Sequence, residues 1–350
     1  MPARWVMSLL AALALPATAA QGAGVADFYK GRQINLIVGS GTGGGYDAYA
    51  RVLARHIGRH IPGNPSIVVQ NMPGAGGLRA ANYLYNVAPK DGTTIAVIAH
   101  DLALHSHLGH NPNIQFDFPK FIWLGSSSSF ADDAYLLIVR PDAVVKSVED
   151  ARRPGGPPLL VAASTGGAGT GDTTTLIREA LGFNLKPVTG YRGSSDMFLA
   201  IDRNEADGRF TALSVLQATR PGWLKQGAMR VLFQFARATR HPLLPDVPTA
   251  RELAQSDIAR ALIELAEIPY FIDRPFAAPP GLPADRAKAL QDAFVATHQD
   301  ARYLDEARKL MIDVSPVDAE GVRRAIERIQ AAPAAALDHM RKLLANRGSE

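Results

Sequence analysis

The chain has 350 residues, no cysteine and a formal net charge of +4. Without cysteine, thiol catalysis, iron–sulfur clusters and cysteine-based zinc sites are excluded. The Lys and Arg residues are spread along the chain rather than gathered into a run or a basic stripe with aromatic residues, so we predict no nucleic-acid partner.

The N-terminus has the pattern of a secretory signal peptide over residues 1–20. Arg4 precedes an apolar stretch, and small residues follow it, which predicts cleavage near Ala19 or Ala20. The apolar stretch is shorter than the roughly 20 residues that cross a bilayer. We therefore expect an exported protein, with a short N-terminal membrane anchor as the alternative.

The first part of the mature chain alternates predicted strands with predicted helices. Apolar runs at 34–38, 67–69 and 93–99 predict strands, and residues at helical spacing predict helices between them. This order favours a parallel sheet with helices on its faces. In such sheets ligands bind at loops beyond the carboxyl ends of the strands, where two glycine-rich loops lie, GSGTGGGYD at 39–47 and NMPGAGG at 71–77.

A second α/β stretch follows the serine run at 125–133. It contains further predicted strands, a third glycine-rich loop at 165–175 and a helix predicted from about Thr174. The segment RPFAAPPGLP at 274–283 predicts a strand that returns the chain. Helices follow it, and Asp318 is the predicted N-cap of one of them. We therefore expect two α/β halves joined by two segments, with a cleft between them. The predicted domains are residues 25–125 with 275–350, and residues 126–274.

The first glycine-rich loop matches the spacing of a dinucleotide-binding loop, but its surroundings do not. Gly39, Gly41 and Gly44 fit G-x-G-x-x-G, yet the second strand ends Val69-Gln70-Asn71, without the carboxylate that binds a ribose hydroxyl. No Gly-Lys-Ser/Thr follows, which excludes a Walker loop. We therefore predict no cofactor. Backbone N–H groups of the two loops, and of the helical turns after them, can instead hold an anion such as a carboxylate.

Four histidines lie close together in the sequence, at His100, His105, His107 and His110. His105 and His107 could share a metal if they lay on a strand, but the local pattern is irregular and we predict no metal site. His100 follows the third predicted strand and is expected to line the cleft.

An exported α/β enzyme that uses the same cleft, such as a hydrolase, is an alternative function. It requires a base within hydrogen-bond reach of a nucleophile, and the sequence shows no such constellation. Ser194 and Ser195 lack a G-x-S-x-G elbow and are expected to cap the next helix. We therefore predict no enzymatic activity.

Several motifs together resemble a known family. They are INLIVGSGTGGGYDAYARVLARHI, VVQNMPGAGGLRAANYL and PKDGTTIAVI, in this order after a signal peptide, and the similarity continues through TGYRGSSD, RHPLLPDVPTARELA and RPFAAPPGLPADRAKALQDAF. They resemble the Bug family, the solute receptors of bacterial tripartite tricarboxylate transporters. The resemblance implies a two-domain type II periplasmic binding protein of the α/β class, each domain a mostly parallel sheet flanked by helices.

The same resemblance implies the function. Members of the family capture a small organic acid in the periplasm by hinge closure and deliver it to membrane permease subunits, without a chemical step. We expect a monomer that uses no cofactor and no metal. A ligand sensor that docks on a receptor kinase is a further alternative.

The resemblance also implies candidate site residues, because the family holds one ligand carboxylate through backbone amides and ordered waters at the first two loops. Asp47 is expected to cap its helix or position a water, since a buried carboxylate repels an anion. Together with His100, the candidate ligand-binding residues are Thr42, Gly43, Gly44, Gly45, Tyr46, Asp47, Gly74, Ala75, Gly76, Ser164, Thr165, Gly167, Gly169, Thr170, Tyr191, Arg192 and Gly193.

Three positions depart from the family pattern. Tyr46 stands where Thr is usual, Met72 replaces an Arg before Pro73, and residues 189–193 differ from the usual His-Val-Pro-Tyr-Lys-Gly. The sequence therefore predicts an organic acid as the ligand class without naming the acid.

Overall fold

The computed structural model describes residues 18–164, 169–191, 193–225 and 227–345. The strands in this part of the chain are β1 Gln33–Val38, β2 Ser66–Asn71, β3 Thr94–Val97, β4 Ile122–Ser126, β5 Tyr135–Val139, β6 Leu159–Ser164, β7 Leu185–Tyr191, β8 Gly208–Ala212, β9 Arg230–Phe235, β10 Pro275–Ala278 and β11 Val317–Asp318.

The helices, within the same described ranges, surround these strands. They are α1 Thr18–Tyr29, α2 Gly45–Ile57, α3 Leu78–Asn86, α4 Leu102–Leu108, α5 Val148–Arg152, α6 Thr170–Leu181, α7 Ser194–Asp202, α8 Leu213–Thr219, α9 Gly222–Lys225, α10 Ala250–Leu253, α11 Asp257–Glu267, α12 Ala284–Gln299, α13 Ala301–Lys309, α14 Ala319–Gln330 and α15 Ala334–Ala345.

The first sheet has the strand order β11-β4-β10-β3-β1-β2. β1 pairs in parallel with β2 and β3, so that Leu36 lies beside Val69 and Ile95. β10 runs antiparallel between β3 and β4. All four residues of β3 are buried, which explains why its sequence reads as a continuous apolar run rather than an alternating one.

The second sheet has the strand order β7-β6-β8-β5-β9. β6 pairs in parallel with β7 and β8, whereas β5 runs antiparallel to β8 and β9. The chain enters this sheet through β5, the strand that follows β4, and returns to the first sheet through β10. Most strands of each sheet run in one direction and helices pack on both sheets, which confirms the predicted α/β class.

The last helix, α15, contacts elements of both halves. It packs against α6 and α11, which belong with the second sheet, and against α4, which follows β3 of the first sheet. Two buried side chains of α15, Met340 and Leu344, reach the space between the two sheets.

Two local predictions were wrong. The helix expected from about Thr174 begins at Thr170, inside the segment 165–175 that was predicted as the third glycine-rich loop. Ser194 and Ser195 were expected to cap the next helix, but the N-cap of α7 is Gly193 and this helix has no side-chain cap.

The segment that carries His105 and His107 is the helix α4, and residues two apart on a helix point in nearly opposite directions. His105 is accordingly buried and His107 is exposed, so the two do not share a site.

The described residues contain no group of three or more His, Asp or Glu side chains placed to hold a metal ion. Among the helices of these residues, none has the length and apolar character that a membrane crossing requires.

The predicted N-cap of α14 is confirmed. The Asp318 carboxylate accepts a hydrogen bond from the backbone N–H of Gly321 at 2.7 Å. This bond satisfies one of the N–H groups that have no acceptor inside the helix.

Replacing this cap tests its contribution to stability. Asp318→Ala is expected to lower the free energy of unfolding by about 1 kcal/mol, because the N–H of Gly321 loses its acceptor. Asp318→Asn, whose amide oxygen still accepts, serves as the matched control and should retain most of that stability. Urea denaturation of the three proteins measures the difference, and an Asp318→Ala protein as stable as the wild type would show that the cap contributes nothing.

Candidate ligand-binding cleft

A cavity of about 460 Å³ lies between the two sheets. Its walls come from residues that follow the carboxyl ends of β1, β2 and β3 in the first half, and of β6, β7 and β8 in the second. Pockets for small ligands have volumes of roughly 300–1,000 Å³. The cavity therefore has the position and the size of a small-molecule site.

Four helices direct their N-termini at this cavity, and each has a glycine as its N-cap. Gly44 precedes α2, Gly77 precedes α3, Gly169 precedes α6 and Gly193 precedes α7. All four glycines line the cavity, and none of these helices has a side-chain cap. The first N–H groups of a helix have no intrahelical acceptor and carry partial positive charge, so the four ends together favour an anion.

Five helices elsewhere in the described chain differ in this respect. In each of them an N-terminal N–H group is bonded to a side chain of the preceding residue, and none of these five capping residues lines the cavity. The side-chain caps are Ser147 of α5, Thr249 of α10, Ser256 of α11, Asp300 of α13 and Asp318 of α14. Glycine caps are thus concentrated where a ligand could supply the missing acceptor.

The first two glycine-rich loops touch each other. A Cβ added to Gly39 would lie 2.9 Å from the Cα of Gly77, closer than real Cβ contacts allow. Gly77 has a φ of +96° and Gly76 a φ of +63°, a left-handed conformation that glycine adopts without steric cost. The glycines therefore bring the beginnings of α2 and α3 side by side.

The Asp47 side chain stabilises the first glycine-rich loop. Its carboxylate accepts the backbone N–H of Gly43, the Nε–H of Arg51 and the Nδ2–H of Asn71, each at 2.9 Å. Burial acts to raise the pKa of this carboxyl, but these donors outweigh burial and the pKa is lowered. Asp47 is therefore ionised and fully engaged within the protein, and it does not line the cavity.

Tyr46 belongs to a cluster in the wall of the first half. Its hydroxyl accepts the backbone N–H of His100 at 3.1 Å and lies 2.8 Å from His100 Nδ1. The guanidinium of Arg274 lies over the Tyr46 ring, 4.4 Å from its centroid, and forms a buried ion pair with Asp273. Burial alone lowers the pKa of Arg274, but the Asp273 carboxylate reverses this and raises it above its ordinary value. The pair therefore stays charged while its charges compensate each other.

The two halves touch at the cleft. The Ser195 hydroxyl at the start of α7 donates to the carbonyl oxygen of Gly43 at 3.5 Å. On another part of the cavity wall, His105 Nε2 of α4 lies 2.8 Å from the Asp172 carboxylate of α6. These contacts join the loops of the first sheet to the helix N-termini of the second.

Many of the predicted site residues lie together in the cavity wall. The predicted residues that line it are Gly44, Gly45, Tyr46, Gly74, Ala75, Gly76, His100, Gly169, Thr170, Tyr191 and Gly193. Thr42, Gly43 and Asp47 do not line it, and Thr42 and Gly43 are exposed at the tip of the first loop. Thr165, Gly167 and Arg192 lie outside the described residues, as does the side chain of Ser164. A ligand-binding role for each of these residues remains a prediction.

Sequence reasoning missed several residues of the wall. They are Tyr135, Asp172, Arg209, Thr211, Tyr270, Asp273, Arg274, Met340 and Leu344. One signal was available in the sequence, because Arg209 is a charged residue inside a segment predicted as a strand, and charged residues are rarely buried without a partner.

Comparison with known proteins agrees with this architecture. The model of the tripartite tricarboxylate transporter family receptor matches residues 49–333. The chain belongs to this family. A protein of Cupriavidus necator described as "UPF0065 protein in gbd 5'region" is 28% identical over 316 residues, which cover 89% of this chain and 87% of the relative.

Two solved structures have the same fold. The periplasmic binding protein BugD has a TM-score of 0.68 at 20% identity, covering 92% of this chain and 99% of its own. A Rhodopseudomonas palustris protein, Rpa4515 with adipate, has a TM-score of 0.66 at 20% identity, covering 89% of this chain and 97% of its own. The receptor therefore has the two-domain α/β fold of periplasmic binding proteins that its sequence predicts.

Asp47→Asn tests how the first loop is supported. An Asn amide cannot accept from all three donors, so the variant should be less stable than the wild type by about 1–3 kcal/mol at pH 7. Because the folded-state pKa of Asp47 is lowered, its contribution is present above the ordinary pKa of about 3.9 and is lost as the pH falls through the folded value. The stability difference between the two proteins should therefore narrow below about pH 4.

Urea denaturation at pH 7, 4 and 3 measures this difference. Asp292→Asn, at an exposed ion pair with Lys288, is the control, and it should stay within about 0.5 kcal/mol of the wild type. A constant difference between Asp47→Asn and the wild type across this pH range would contradict the role given to the Asp47 charge.

Proposed function

We propose that this receptor captures a small organic acid in the periplasm and delivers it to the membrane permease of a tripartite tricarboxylate transporter. The observation that carries the proposal is the convergence of four glycine-capped helix N-termini on one cavity of about 460 Å³. A carboxylate placed there would accept the N–H groups that lack an acceptor.

The family and one of its structural neighbours support an acid as the ligand. The chain belongs to a family of tricarboxylate transporter receptors, and Rpa4515 is described with adipate, a dicarboxylate. Backbone N–H groups bind carboxylates without discriminating among them. The glycine-capped helix N-termini would therefore account for the class of ligand rather than for its identity.

Capture requires no chemical step in this proposal. Ser195 at the cavity mouth is bonded to a carbonyl oxygen, and Ser194 accepts from Arg209. His100, the imidazole nearest the first loop, is engaged by Tyr46 and lies 3.0 Å from an Asp273 carboxylate oxygen. Among the described residues, these contacts leave no serine paired with a histidine in the wall of the cavity.

Closure of two domains about a hinge would trap the ligand. We propose residues 25–125 with 275–350 as one domain and residues 126–274 as the other, acting within a monomer. The chain crosses between the sheets after β4 and again before β10, and these two crossings support a hinge of two segments. Contacts such as Ser195 to Gly43 would form on closure.

Calorimetric titration against a panel of mono- and dicarboxylates tests the proposal. We expect at least one organic acid to bind with 1:1 stoichiometry and to be recovered unchanged after incubation with the protein. Absence of binding across the panel, or turnover of the acid or of its esters at catalytic protein concentrations, would overturn it.

Gly44→Val tests the helix N-terminus directly. A Cβ on Gly44 would meet no atom closer than 4.0 Å, so the fold should tolerate valine, whose methyl groups would stand beside the first N–H groups of α2. We expect the affinity for the acid found in the panel to fall at least about tenfold, as expected when a charge-assisted hydrogen bond is lost. Calorimetric titration measures the affinity.

Thr42→Val is the matched control because Thr42 belongs to the same loop but does not line the cavity. Its affinity should equal that of the wild type. Equal affinities in the wild type and in Gly44→Val would remove the N-terminus of α2 from the site.

A further inference from the structure

Arg209 is a buried cation in the wall of the cavity. It lies in β8, and only 2% of it is exposed. Buried arginines are normally paired with a carboxylate, because an uncompensated charge is costly to remove from water. No Asp or Glu of the described chain forms an ion pair with Arg209, and burial lowers its pKa only to about 10. Arg209 is therefore charged at neutral pH.

Neutral groups hold the guanidinium in place. Its Nε–H donates to the carbonyl oxygen of Phe210 at 3.0 Å, and its terminal nitrogens donate to the backbone oxygen of Ser194 at 2.6 Å and the hydroxyl of Ser194 at 3.0 Å. One face packs against the Phe198 ring, 4.2 Å from the centroid. Arginine has five N–H donors. Among described residues these bonds engage three, which leaves one N–H on each terminal nitrogen.

Thr211 is a second polar group of the same strand. Residues two apart in a strand share a face, so Thr211 lies on the same face as Arg209. Thr211 is 2% exposed and lines the cavity, and its hydroxyl has no hydrogen-bond partner among the described residues. A buried hydroxyl without a partner is rare in folded proteins. β8 thus presents both an uncompensated cation and an unused hydroxyl to the cavity.

The two groups lie close to the helix end that meets the first loop. Arg209 bonds to Ser194, the first residue of α7, and the next residue, Ser195, reaches Gly43. Because residues at the N-termini of α2 and α3 and residues of β8 line one cavity, an acid held at those helix ends can extend toward β8.

Among the described residues, three carboxylates line the cavity. Asp273 is paired with Arg274, and Asp172 is paired with His105. Asp101 is the third, and none of the three is among the groups that shift the pKa of Arg209. None of them forms an ion pair with the Arg209 guanidinium.

We propose that Arg209 and Thr211 bind a second acidic group of the ligand, so that the receptor selects diacids over monoacids of the same chain length. This inference rests on the proposed function, since it assigns a binding site to the second acidic group of an acid whose first carboxylate is held at the glycine-capped helices.

Matched acid pairs test the selection. The wild-type protein is titrated with succinate and butyrate, glutarate and pentanoate, and adipate and hexanoate. We expect the best diacid to bind at least about tenfold more tightly than its monoacid, as expected for a charge-assisted hydrogen bond.

Two variants then locate the second acidic group. Arg209→Met should weaken diacid binding at least about tenfold, and Thr211→Val should weaken it severalfold, while both leave monoacid binding within about threefold. Arg220→Met is the matched control. Arg220 also lies over the Phe198 ring but does not line the cavity, so its loss should change neither affinity.

Several outcomes would overturn the inference. Equal affinities for diacids and their monoacids would do so, as would variants that weaken both kinds of acid to the same extent, which would make Arg209 a structural support of α7. Thermal unfolding checks that each variant is folded; if Arg209→Met is not, the wild-type ratio and Thr211→Val decide. Failure of every acid to bind would overturn the proposed function itself, whereas monoacid binding without diacid preference would overturn only this inference.

Discussion

The approach of Gly39 to Gly77 is the constraint on which the cleft depends. A Cβ on Gly39 would lie 2.9 Å from the Cα of Gly77, so a side chain there would push the two loops apart. α2 and α3 begin within a few residues of these loops. Their N-terminal N–H groups can face one space only because the loops touch, and the proposed anion site made of backbone depends on that contact.

A backbone site for an anion requires that nearby carboxylates be compensated, since a free one would repel the ligand. Asp47 is engaged by three donors, Asp273 by Arg274 and Asp172 by His105. On the opposite sheet, the cation Arg209 forms no ion pair with a carboxylate of the described chain. The two proposals assign separate tasks: the glycine-capped helices would accept the carboxylate class, and Arg209 and Thr211 of the second half would select within it.

The structure shows which contacts are made by the residues that depart from the family pattern. The Tyr46 hydroxyl is used by His100, and its ring lies under Arg274, so tyrosine ties the first loop to the segment that precedes β10. Met72, where the family usually has an arginine, is partly buried and packs against the apolar core. At the other end of the cleft, the Tyr191 hydroxyl donates to Glu205. The first two changes alter contacts that support the site. They leave the N–H groups at the helix N-termini as they are.

The sequence by itself determined the α/β class, the glycine-rich loops at strand ends and the cap at Asp318, because each of these depends on residues that are close together in the sequence. It also predicted that the first two glycine-rich loops, which contain Gly44 and Gly74, would share a site, since carboxyl ends of parallel strands meet at one edge of a sheet. The resemblance to the family added Gly169 of the second half to that site. Only the tertiary structure decided which side chains complete that site. Arg209, Asp273 and Arg274 reach the cavity through strand pairings between distant parts of the chain, and such pairings leave no local pattern in the sequence.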